Sequence, residues 1–332
     1  MDIRIATYNV EWFDNHFNDD NTMKSSNQDM KKFNAVKTVL GLLNADLITL
    51  IEAPNTTTTT GIQSTVVKLE NFAQWAGLPT RKAMIGFPSA GRQEIAALYN
   101  PDKMTATHDP GGRSDSRSNP PFNGEFFFDT DDDDIKEVYK HYRPPLEVRV
   151  GLNDGTVFYV MGVHTKSKGI FNAVDQVHME MESRRNRLKL YAECAWIRKR
   201  VEDWLKAGKM FAVMGDINDG PGMDLYEMRY GRSAVEGIMG DIFDPDGVLR
   251  NYVGRPKWTS TGWKPASARF KDSITGSNVN VLIDHILASA NLPVSANPGR
   301  VWNPYEQDDL KANRTDFKDA SDHFPVTLDL NL

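Results

Sequence analysis

The sequence predicts an α+β protein in which strands and helices alternate along the whole chain. Apolar, β-prone runs recur from residue 3 to residue 330, and segments with helical periodicity separate several of them. Hydrophobic residues make up 40% and charged residues 25% of the 332 residues, values typical of globular proteins. The connections between these runs are long, which agrees with layers of sheets and helices.

Eight segments are predicted to form strands, because each combines apolar residues with β-branched or aromatic ones. Most of them are followed directly by a polar side chain, so their ends are the natural places to look for chemistry. The predicted strands are residues 3–10, 46–51, 94–99, 143–150, 156–163, 211–214, 281–287 and 326–330.

Three segments show apolar residues at helical spacing. They cover residues 33–43, 66–75 and 184–205. In the third, the residues expected to be buried are Leu190, Cys194, Ile197, Val201 and Trp204. The residues expected on its solvent face are Arg184, Arg185 and Arg187.

Polar, glycine-rich and proline-rich stretches are predicted to be irregular, at residues 14–29, 101–134 and 220–271. The acidic run 129–134 is interpreted as a solvated loop, because it lacks the glycine and terminal glutamate of an EF-hand calcium loop. Basic and aromatic residues alternate near the end of the third region, which suits phosphate contact and base stacking, or a structural role for the tryptophans. These residues are Arg255, Lys257, Trp258, Trp263, Lys264, Arg269 and Lys271.

The stretch from Phe211 to Asp219 combines a buried strand with a polar tip. The apolar run stops at Gly215, and Asp216 and Asn218 follow at once. Because side chains alternate along a strand and its extension, we expect these two side chains to project the same way. A carboxylate and a carboxamide on one rim suit cation binding or activation of water, although Gly, Asp and Asn also favour an ordinary turn.

Other predicted strands end in, or carry, groups of the same kind. Asn9 and Glu52 terminate the first two strands, and His164 follows a later one beside two lysines. Asp284 lies in the apolar segment 281–287, where a buried carboxylate needs a partner. We expect that partner to be His323, because a carboxylate fixes the imidazole tautomer and raises its basicity.

This ordered set resembles the endonuclease/exonuclease/phosphatase superfamily, the deoxyribonuclease I-like proteins. The most specific segments are Gly-Asp-Ile-Asn at 215–218, Ile-Asp-His-Ile-Leu at 283–287 and Ser-Asp-His-Phe-Pro at 321–325. Segment 163–169, Val-His-Thr-Lys-Ser-Lys-Gly, is similar to the bacterial, often secreted, nucleases of that superfamily. Many members have Gln where this chain has Ile51, and the loops 101–142 and 220–271 match no family pattern.

The resemblance implies a four-layer α/β/β/α sandwich of two packed mixed β-sheets, which we take as one domain over residues 1–332. It implies that Asp216 orients or deprotonates the attacking water and that Asn218 binds a phosphate oxygen. His323, held by Asp284, is then a general base or a phosphate binder. His164 is the general acid or a transition-state stabiliser. The residues expected to bind substrate are Asn9, Arg143, Lys166 and Lys168, although the last three equally suit an ordinary surface role.

Glu52 is the expected metal ligand, with Asn9 and Asp322 beside it. Oxygen ligands favour Mg²⁺ or Mn²⁺, with Ca²⁺ as an alternative or helper. Thiolate-based zinc chemistry is excluded and internal disulfides cannot form, because Cys194 is the one cysteine. The net charge of −6 argues against a globally basic surface, but it is compatible with a local basic groove.

The leading hypothesis is a metal-dependent nuclease acting as a monomer, with DNA favoured over RNA as substrate. A sphingomyelinase-like or inositol-phosphate phosphoesterase keeps the chemistry and changes the substrate, and a non-catalytic binding module is the third alternative. No run of 18 apolar residues indicates a transmembrane helix. The expected location is the cytoplasm, or the periplasm or exterior after removal of a signal peptide.

Overall fold

The computed structural model describes residues 1–57, 61–130, 133–170, 174–220, 228, 233–253, 265–271 and 276–332. Its strands are β1 (Asp2–Asn9), β2 (Leu47–Ala53), β3 (Lys82–Ile85), β4 (Glu94–Tyr99), β5 (Met104–His108), β6 (Phe126–Phe128), β7 (Glu137–Tyr139), β8 (Leu146–Leu152), β9 (Val157–His164), β10 (Phe211–Asp216), β11 (Arg250–Asn251), β12 (Ala268–Lys271), β13 (Asn278–Val281), β14 (Asp284–Ala288), β15 (Val294–Val301) and β16 (Val326–Asn331). Its α-helices are α1 (Asn27–Leu43), α2 (Thr65–Ala76), α3 (Gln176–Lys206), α4 (Ala234–Met239) and α5 (Arg314–Ala320).

Two six-stranded sheets form the centre of the molecule. Sheet 1 has the order β15-β16-β1-β2-β4-β3, and sheet 2 has the order β11-β14-β10-β9-β8-β5. Both are mixed, because β1–β2 and β9–β10 are parallel pairs whereas their other neighbours are antiparallel. Two separate hairpins, β6–β7 and β12–β13, lie outside these sheets. The predicted α+β class with two mixed sheets is confirmed.

Strand β10 shows how the layers are assembled, because its side chains alternate between two cores. Ala212 and Met214 join the apolar core between the sheets, which continues through sheet 1 to α1 and α2. Phe211 and Val213 join a second core that α3 and α4 cover. Alternating apolar residues on both faces therefore place sheet 2 between sheet 1 and the α3 layer, which gives four layers.

Helix α3 confirms the predicted buried stripe but begins earlier than predicted and uses one arginine differently. The five apolar residues of the predicted stripe are all buried. Arg184 and Arg185 are exposed as expected, whereas the prediction for Arg187 is wrong. Arg187 is buried and donates to the Ser183 carbonyl and hydroxyl oxygens one turn earlier.

Regions predicted to be irregular contain short strands and one short helix. Strands β5 and β6 lie in residues 101–134, and α4, β11 and β12 lie in residues 220–271. Strand β5 is the edge of sheet 2 and pairs with β8. Strand β15, which contains Pro298, is the edge of sheet 1 and carries a register shift between Val294 and Gly299. Edge strands tolerate proline and irregular pairing, so the sequence pattern does not reveal them.

The acidic run agrees with a solvated loop in its described part. Asp133 and Asp134 are exposed, and the Asp134 amide nitrogen donates to the Asp129 carboxylate. Among the described residues, no helix is long and apolar enough to cross a membrane.

Candidate active site

The polar residues at the predicted strand ends lie at one edge of the two packed sheets. In sheet 2, His164 is paired with Asp216 at the carboxyl ends of the parallel strands β9 and β10. Strand β14 lies on the other side of β10 from β9 and is antiparallel to β10. Its first residue, Asp284, is therefore paired with Asp216. In sheet 1, Asn9 is paired with Ile51 at the corresponding ends of β1 and β2. Because β1 packs against β10 and β14, these strand ends meet at one place.

The chain turns sharply after Asp216. Asp216 Oδ1 accepts a hydrogen bond of 2.9 Å from the Asn218 amide nitrogen, and Asn218 has a positive φ of 54°. The extended geometry expected through Asn218 is therefore wrong, because the chain leaves the strand one residue after Asp216. The turn depends on Gly215, where a Cβ atom would lie 1.9 Å from the Val163 carbonyl oxygen of the neighbouring strand.

Thr165 connects this turn to the neighbouring strand, and sequence reasoning missed it. Its amide nitrogen donates to the Asp216 carbonyl oxygen at 3.1 Å, and its hydroxyl donates to the Ile217 carbonyl oxygen at 2.6 Å. Its own carbonyl oxygen accepts from Asn218 Nδ2 and from Arg143 Nη2, each at 3.0 Å. The sequence does not distinguish this threonine, because its contacts form only when the turn after Asp216 lies beside it.

Asn9 links the two sheets. Its Nδ2 donates to Asp216 Oδ2 at 3.2 Å and lies 3.5 Å from Glu52 Oε1. Its Oδ1 accepts from the Glu11 amide nitrogen at 3.0 Å, so both ends of the carboxamide are engaged. Glu52 has a positive φ of 59° at a register shift in β2, and its Oε2 accepts from the Trp12 amide nitrogen. The Asn9 carboxamide therefore bridges the carboxylates of Glu52 in sheet 1 and Asp216 in sheet 2.

His323 and Asp284 form the expected pair. His323 Nδ1 lies 2.8 Å from Asp284 Oδ2, which also accepts from the Ser267 hydroxyl at 2.8 Å. Asp284 begins β14 rather than lying inside a continuous strand, because Ser267 Oγ accepts from the amide nitrogens of Ile283 and Asp284. Burial lowers the pKa of His323, but the neighbouring Asp284 carboxylate, followed by Asp216 and Asp322, outweighs it and raises the pKa to about 10.

Asp216 lies at the centre of the group. Its Oδ2 lies 3.6 Å from His164 Nε2 and 3.9 Å from His323 Nε2. Burial raises the pKa of Asp216 to about 7, and Asp284 adds to this, while His323 and the hydrogen bonds from Asn218 and Asn9 oppose it. Burial, with the positive charges of Arg143 and His323, lowers the pKa of His164 well below its ordinary value. His164 is therefore a neutral imidazole at pH 7.

Two further residues at this edge were not singled out as site residues. Glu11, two positions after Asn9, has its pKa raised by burial and by the charges of Asp322 and Glu52. Lys32 of α1 is buried beside it, where its Nζ donates to the Glu11 carbonyl oxygen and lies 3.7 Å from Glu11 Oε2. The Asn-x-Glu spacing was a usable signal for Glu11. Nothing local distinguishes Lys32 from the other lysines of its helix.

The three predicted cationic residues have different environments. Arg143 is half-buried and donates to Gln93 Oε1 at 2.7 Å as well as to Thr165. Lys168 Nζ lies 2.6 Å from Asp219 Oδ1, which ties the segment after His164 to the segment after Asn218. Burial and the positive charge of Arg143 lower the pKa of Lys166. Arg143 and Lys168 thus hold the segments around the site in place and also add positive charge there.

The donors at this edge fit a divalent cation. Asp216, Asp284 and His323 offer ligand atoms that all lie within 4.8 Å of one another, and the buried Asp284 Oδ1 has no partner among the described residues. Next to them, Glu52, Glu11 and Asp322 supply carboxylate oxygens, the ligands preferred by Mg²⁺ and Mn²⁺. The side chains of Glu11, Glu52 and Asp322 are exposed or partly exposed, whereas Asp216, Asp284 and His323 are buried.

Part of the predicted basic and aromatic loop lies outside the described residues, namely Arg255, Lys257, Trp258, Trp263 and Lys264. Arg269 is described, and its guanidinium stacks on the Tyr305 ring with its carbon 4.4 Å from the ring centroid. Its amide nitrogen donates to the Asp322 carbonyl oxygen at 2.8 Å, so β12 adjoins the segment that carries His323. Lys271 is exposed at the end of β12.

No protein-family model and no curated protein matches the chain. Among solved structures, truncated TDP2 from Caenorhabditis elegans superposes with a TM-score of 0.51 at 10% identity, over 100% of this chain and 98% of that one. An endonuclease/exonuclease/phosphatase from Bacteroides vulgatus gives a TM-score of 0.50 at 15% identity, over 100% and 99% of the two chains. TDP2 from D. rerio, humanized by 14 mutations, gives 0.50 at 13% identity over the same shares. The fold is therefore that of the endonuclease/exonuclease/phosphatase proteins.

Proposed function

We propose that this chain, a protein with the endonuclease/exonuclease/phosphatase fold, is a divalent-metal-dependent phosphodiester hydrolase acting on nucleic acid, and on DNA in preference to RNA. The observation that carries the proposal is the environment of Asp216, a buried carboxylate whose Oδ2 faces Asn9, His164 and His323 where the two sheets meet. The nuclease-like segment after His164 supports a nucleic-acid substrate. Residues 1–332 act as one domain and one monomer in this proposal.

Asp216 orients and deprotonates the attacking water. One oxygen of its carboxylate is held by the Asn218 amide nitrogen, so the other is directed toward the histidines. Burial favours its protonated form, which makes the carboxylate a stronger base than an exposed aspartate. Asn218 Nδ2 has two N–H bonds, and because one donates to Thr165, the second is directed to a phosphate oxygen.

The two histidines divide the remaining work. His323 is fixed through Nδ1 by Asp284, so its Nε2–H donates to a phosphate oxygen and carries positive charge to it. Of the two roles implied for His164, the neutral ring favours hydrogen-bond stabilisation of the transition state over proton donation. The carboxylates of Glu52, Glu11 and Asp322 would hold the divalent cation, which would supply positive charge to the phosphoryl oxygens when bound.

Digestion of supercoiled plasmid DNA by purified protein tests the proposal, with Mg²⁺, Mn²⁺, Ca²⁺ or EDTA. Nicking that requires a divalent cation and falls by roughly 10²–10⁴-fold in His323→Ala and Asp216→Asn supports it. The matched control is His178→Ala, a partly exposed histidine on α3. Equal nicking by His323→Ala and His178→Ala overturns the assigned roles, and no nicking by folded wild-type protein overturns the nuclease proposal.

A lipid phosphoesterase is the second candidate, because one exposed apolar pair suits a membrane surface. Ile242 and Phe243, in the loop after α4, are 76% and 88% exposed. Asp241 and Asp244 flank them, so no cationic side chain stands next to the pair in the sequence to bind a lipid phosphate, and this candidate ranks below nucleic acid. Hydrolysis of sphingomyelin vesicles without hydrolysis of DNA would favour it.

A further inference from the structure

A groove of about 420 Å³ lies between the β6–β7 hairpin and helix α3. Its walls combine cationic, aromatic and apolar side chains, which is the mixture that contacts a nucleotide. The residues that line it are Val138, Tyr139, Lys140, Arg185, Leu188 and Lys189.

Aromatic packing fixes the two walls relative to each other. Phe126 of the hairpin stacks on Trp196 of α3, with ring centroids 5.2 Å apart and an interplanar angle of 15°. Phe128 stacks on Phe126 in turn at 5.5 Å. Arg185 and Lys189 are separated by about one helical turn, so they lie on the same face of α3 and line the same wall of the groove.

The cations of the groove are paired weakly enough to accept phosphate. Lys140 and Arg185 form ion pairs of 2.9 Å with Glu125 and 2.6 Å with Glu182, and both cationic side chains are more than half exposed. Exposed ion pairs contribute little to stability, so a phosphate can replace the carboxylate at small cost. Lys189 is different, because its partner at 3.8 Å is the buried Glu193.

The segment after His164 connects the groove with the Asp216 site. Lys166 directly follows Thr165, whose backbone bonds the Asp216 turn and Arg143. Glu193 of α3 lies 3.8 Å from Lys189 of the groove, and the same glutamate contacts Lys166. Glu193 accepts from the Lys166 amide nitrogen at 2.7 Å, which anchors this connection to α3.

We propose that the groove binds a nucleotide of the substrate strand away from the scissile phosphate. Lys140, Arg185 and Lys189 contact its phosphate, and its base packs on Tyr139 and Val138. This inference rests on the proposed function, because the scissile phosphate of the same strand lies at Asp216. It makes the preferred substrate a polynucleotide that extends from the site into the groove, rather than a small phosphodiester.

Binding of a fluorescein-labelled single-stranded oligonucleotide, measured by anisotropy at several salt concentrations, tests the proposal. The test variant is Lys140→Gln/Arg185→Gln, which spares Lys189 because that lysine faces a buried glutamate. The control is Lys199→Gln/Lys206→Gln. It removes the same amount of charge from exposed positions of α3, the helix that carries Arg185. Both are built on Asp216→Asn, so that cleavage does not interfere.

The test variant should bind the oligonucleotide more weakly than the control. Its salt dependence, the slope of log K against log salt concentration, should decrease by up to about 0.7, since the substituted cations contact one phosphate and each single-strand phosphate contact contributes about 0.7. In the cleavage-competent protein, the ratio of kcat/KM for the oligonucleotide to kcat/KM for bis(p-nitrophenyl) phosphate should fall in the test variant alone. Equal affinity and equal slope in the two variants would overturn the proposal.

These results separate the groove from the proposed function. Weaker binding by the test variant with no hydrolysis of any phosphodiester supports the groove and refutes the nuclease. Hydrolysis that depends on Asp216, with no difference between the test variant and the control, supports the phosphodiesterase and refutes the groove.

Discussion

Asp284→Asn is expected to remove the charge that keeps His323 protonated. The His323 Nδ1 and Asp284 Oδ2 atoms are 2.8 Å apart, and both residues are buried. Asparagine has nearly the same shape and retains an oxygen that can accept from His323 and from Ser267. The substitution therefore changes the charge beside the imidazole with little change in packing.

The structure sets the size of the effect. A His323 pKa of about 10 instead of 6.5 corresponds to about 5 kcal/mol in favour of the charged ring, at about 1.4 kcal/mol per pKa unit. Burial acts in the opposite direction, and the Asp284 carboxylate opposes it more strongly than Asp216 or Asp322 does. Without the Asp284 charge, only Asp216 and Asp322 still oppose burial, so the His323 pKa should fall from about 10 toward its ordinary 6.5.

NMR titration of the histidine ring protons measures this pKa in protein treated with EDTA, so that no bound cation contributes. A His323→Ala variant assigns the resonance. Asp29→Asn is the matched control, because Asp29 Oδ1 also lies 2.8 Å from a histidine ring nitrogen, that of His16. It should lower the His16 pKa and leave the His323 pKa unchanged. A His323 pKa that stays above about 8 in Asp284→Asn would refute the reasoning.

Three other changes have clear expected results. Asn9→Asp adds a carboxylate beside Asp216, and should lower the free energy of unfolding in EDTA by up to about 4 kcal/mol at pH 7, the cost of protonating one carboxylate there. Urea unfolding of Asn9→Asp, compared with Asn9→Ala, measures this loss of stability. Mg²⁺ should restore more stability to Asn9→Asp than to Asn9→Ala. Equal stability of the two variants would contradict the prediction. Burial, with the charges of Lys189 and Arg143, lowers the pKa of His141 to about 3, whereas the pKa in the unfolded chain is about 6.5. The free energy of unfolding of the wild-type protein should therefore fall as the pH drops from 6.5 toward 3, by about 2 kcal/mol at pH 5. His141→Phe should lack this loss in urea unfolding at pH 7 and pH 5, and the same loss in both proteins would contradict the assignment. Gly215→Ala places Cβ 1.9 Å from a backbone oxygen and should cost more than about 2 kcal/mol or prevent folding, whereas Gly41→Ala, in open space on α1, should gain about 0.5–1 kcal/mol in thermal unfolding. Equal melting temperatures of these two variants would refute the close approach at Gly215.

Local patterns predicted most of the elements that carry the site. Strand β4 has the predicted bounds. Strands β1 and β9 differ from prediction by one residue at each end and β10 by two residues at its end, because each is a dense apolar run that stops at a polar residue. The segment 281–287 failed as one strand, because the Ser267 hydroxyl takes two backbone amides out of the ladder at Asp284. A hydroxyl 17 positions earlier in the chain leaves no trace in the periodicity of that segment.

The sequence by itself determined which residue types stand at the strand ends, because apolar alternation shows where each buried strand must stop. It also determined the chemistry available there: carboxylates, carboxamides and imidazoles, without a thiol pair. Only the tertiary structure decided which of these groups meet. Asn9 reaches Asp216 across 207 positions because β1 of one sheet packs on β10 of the other, and the β10–β14 register sets Asp216 opposite Asp284. Register and sheet packing depend on the whole core, so no local pattern encodes them.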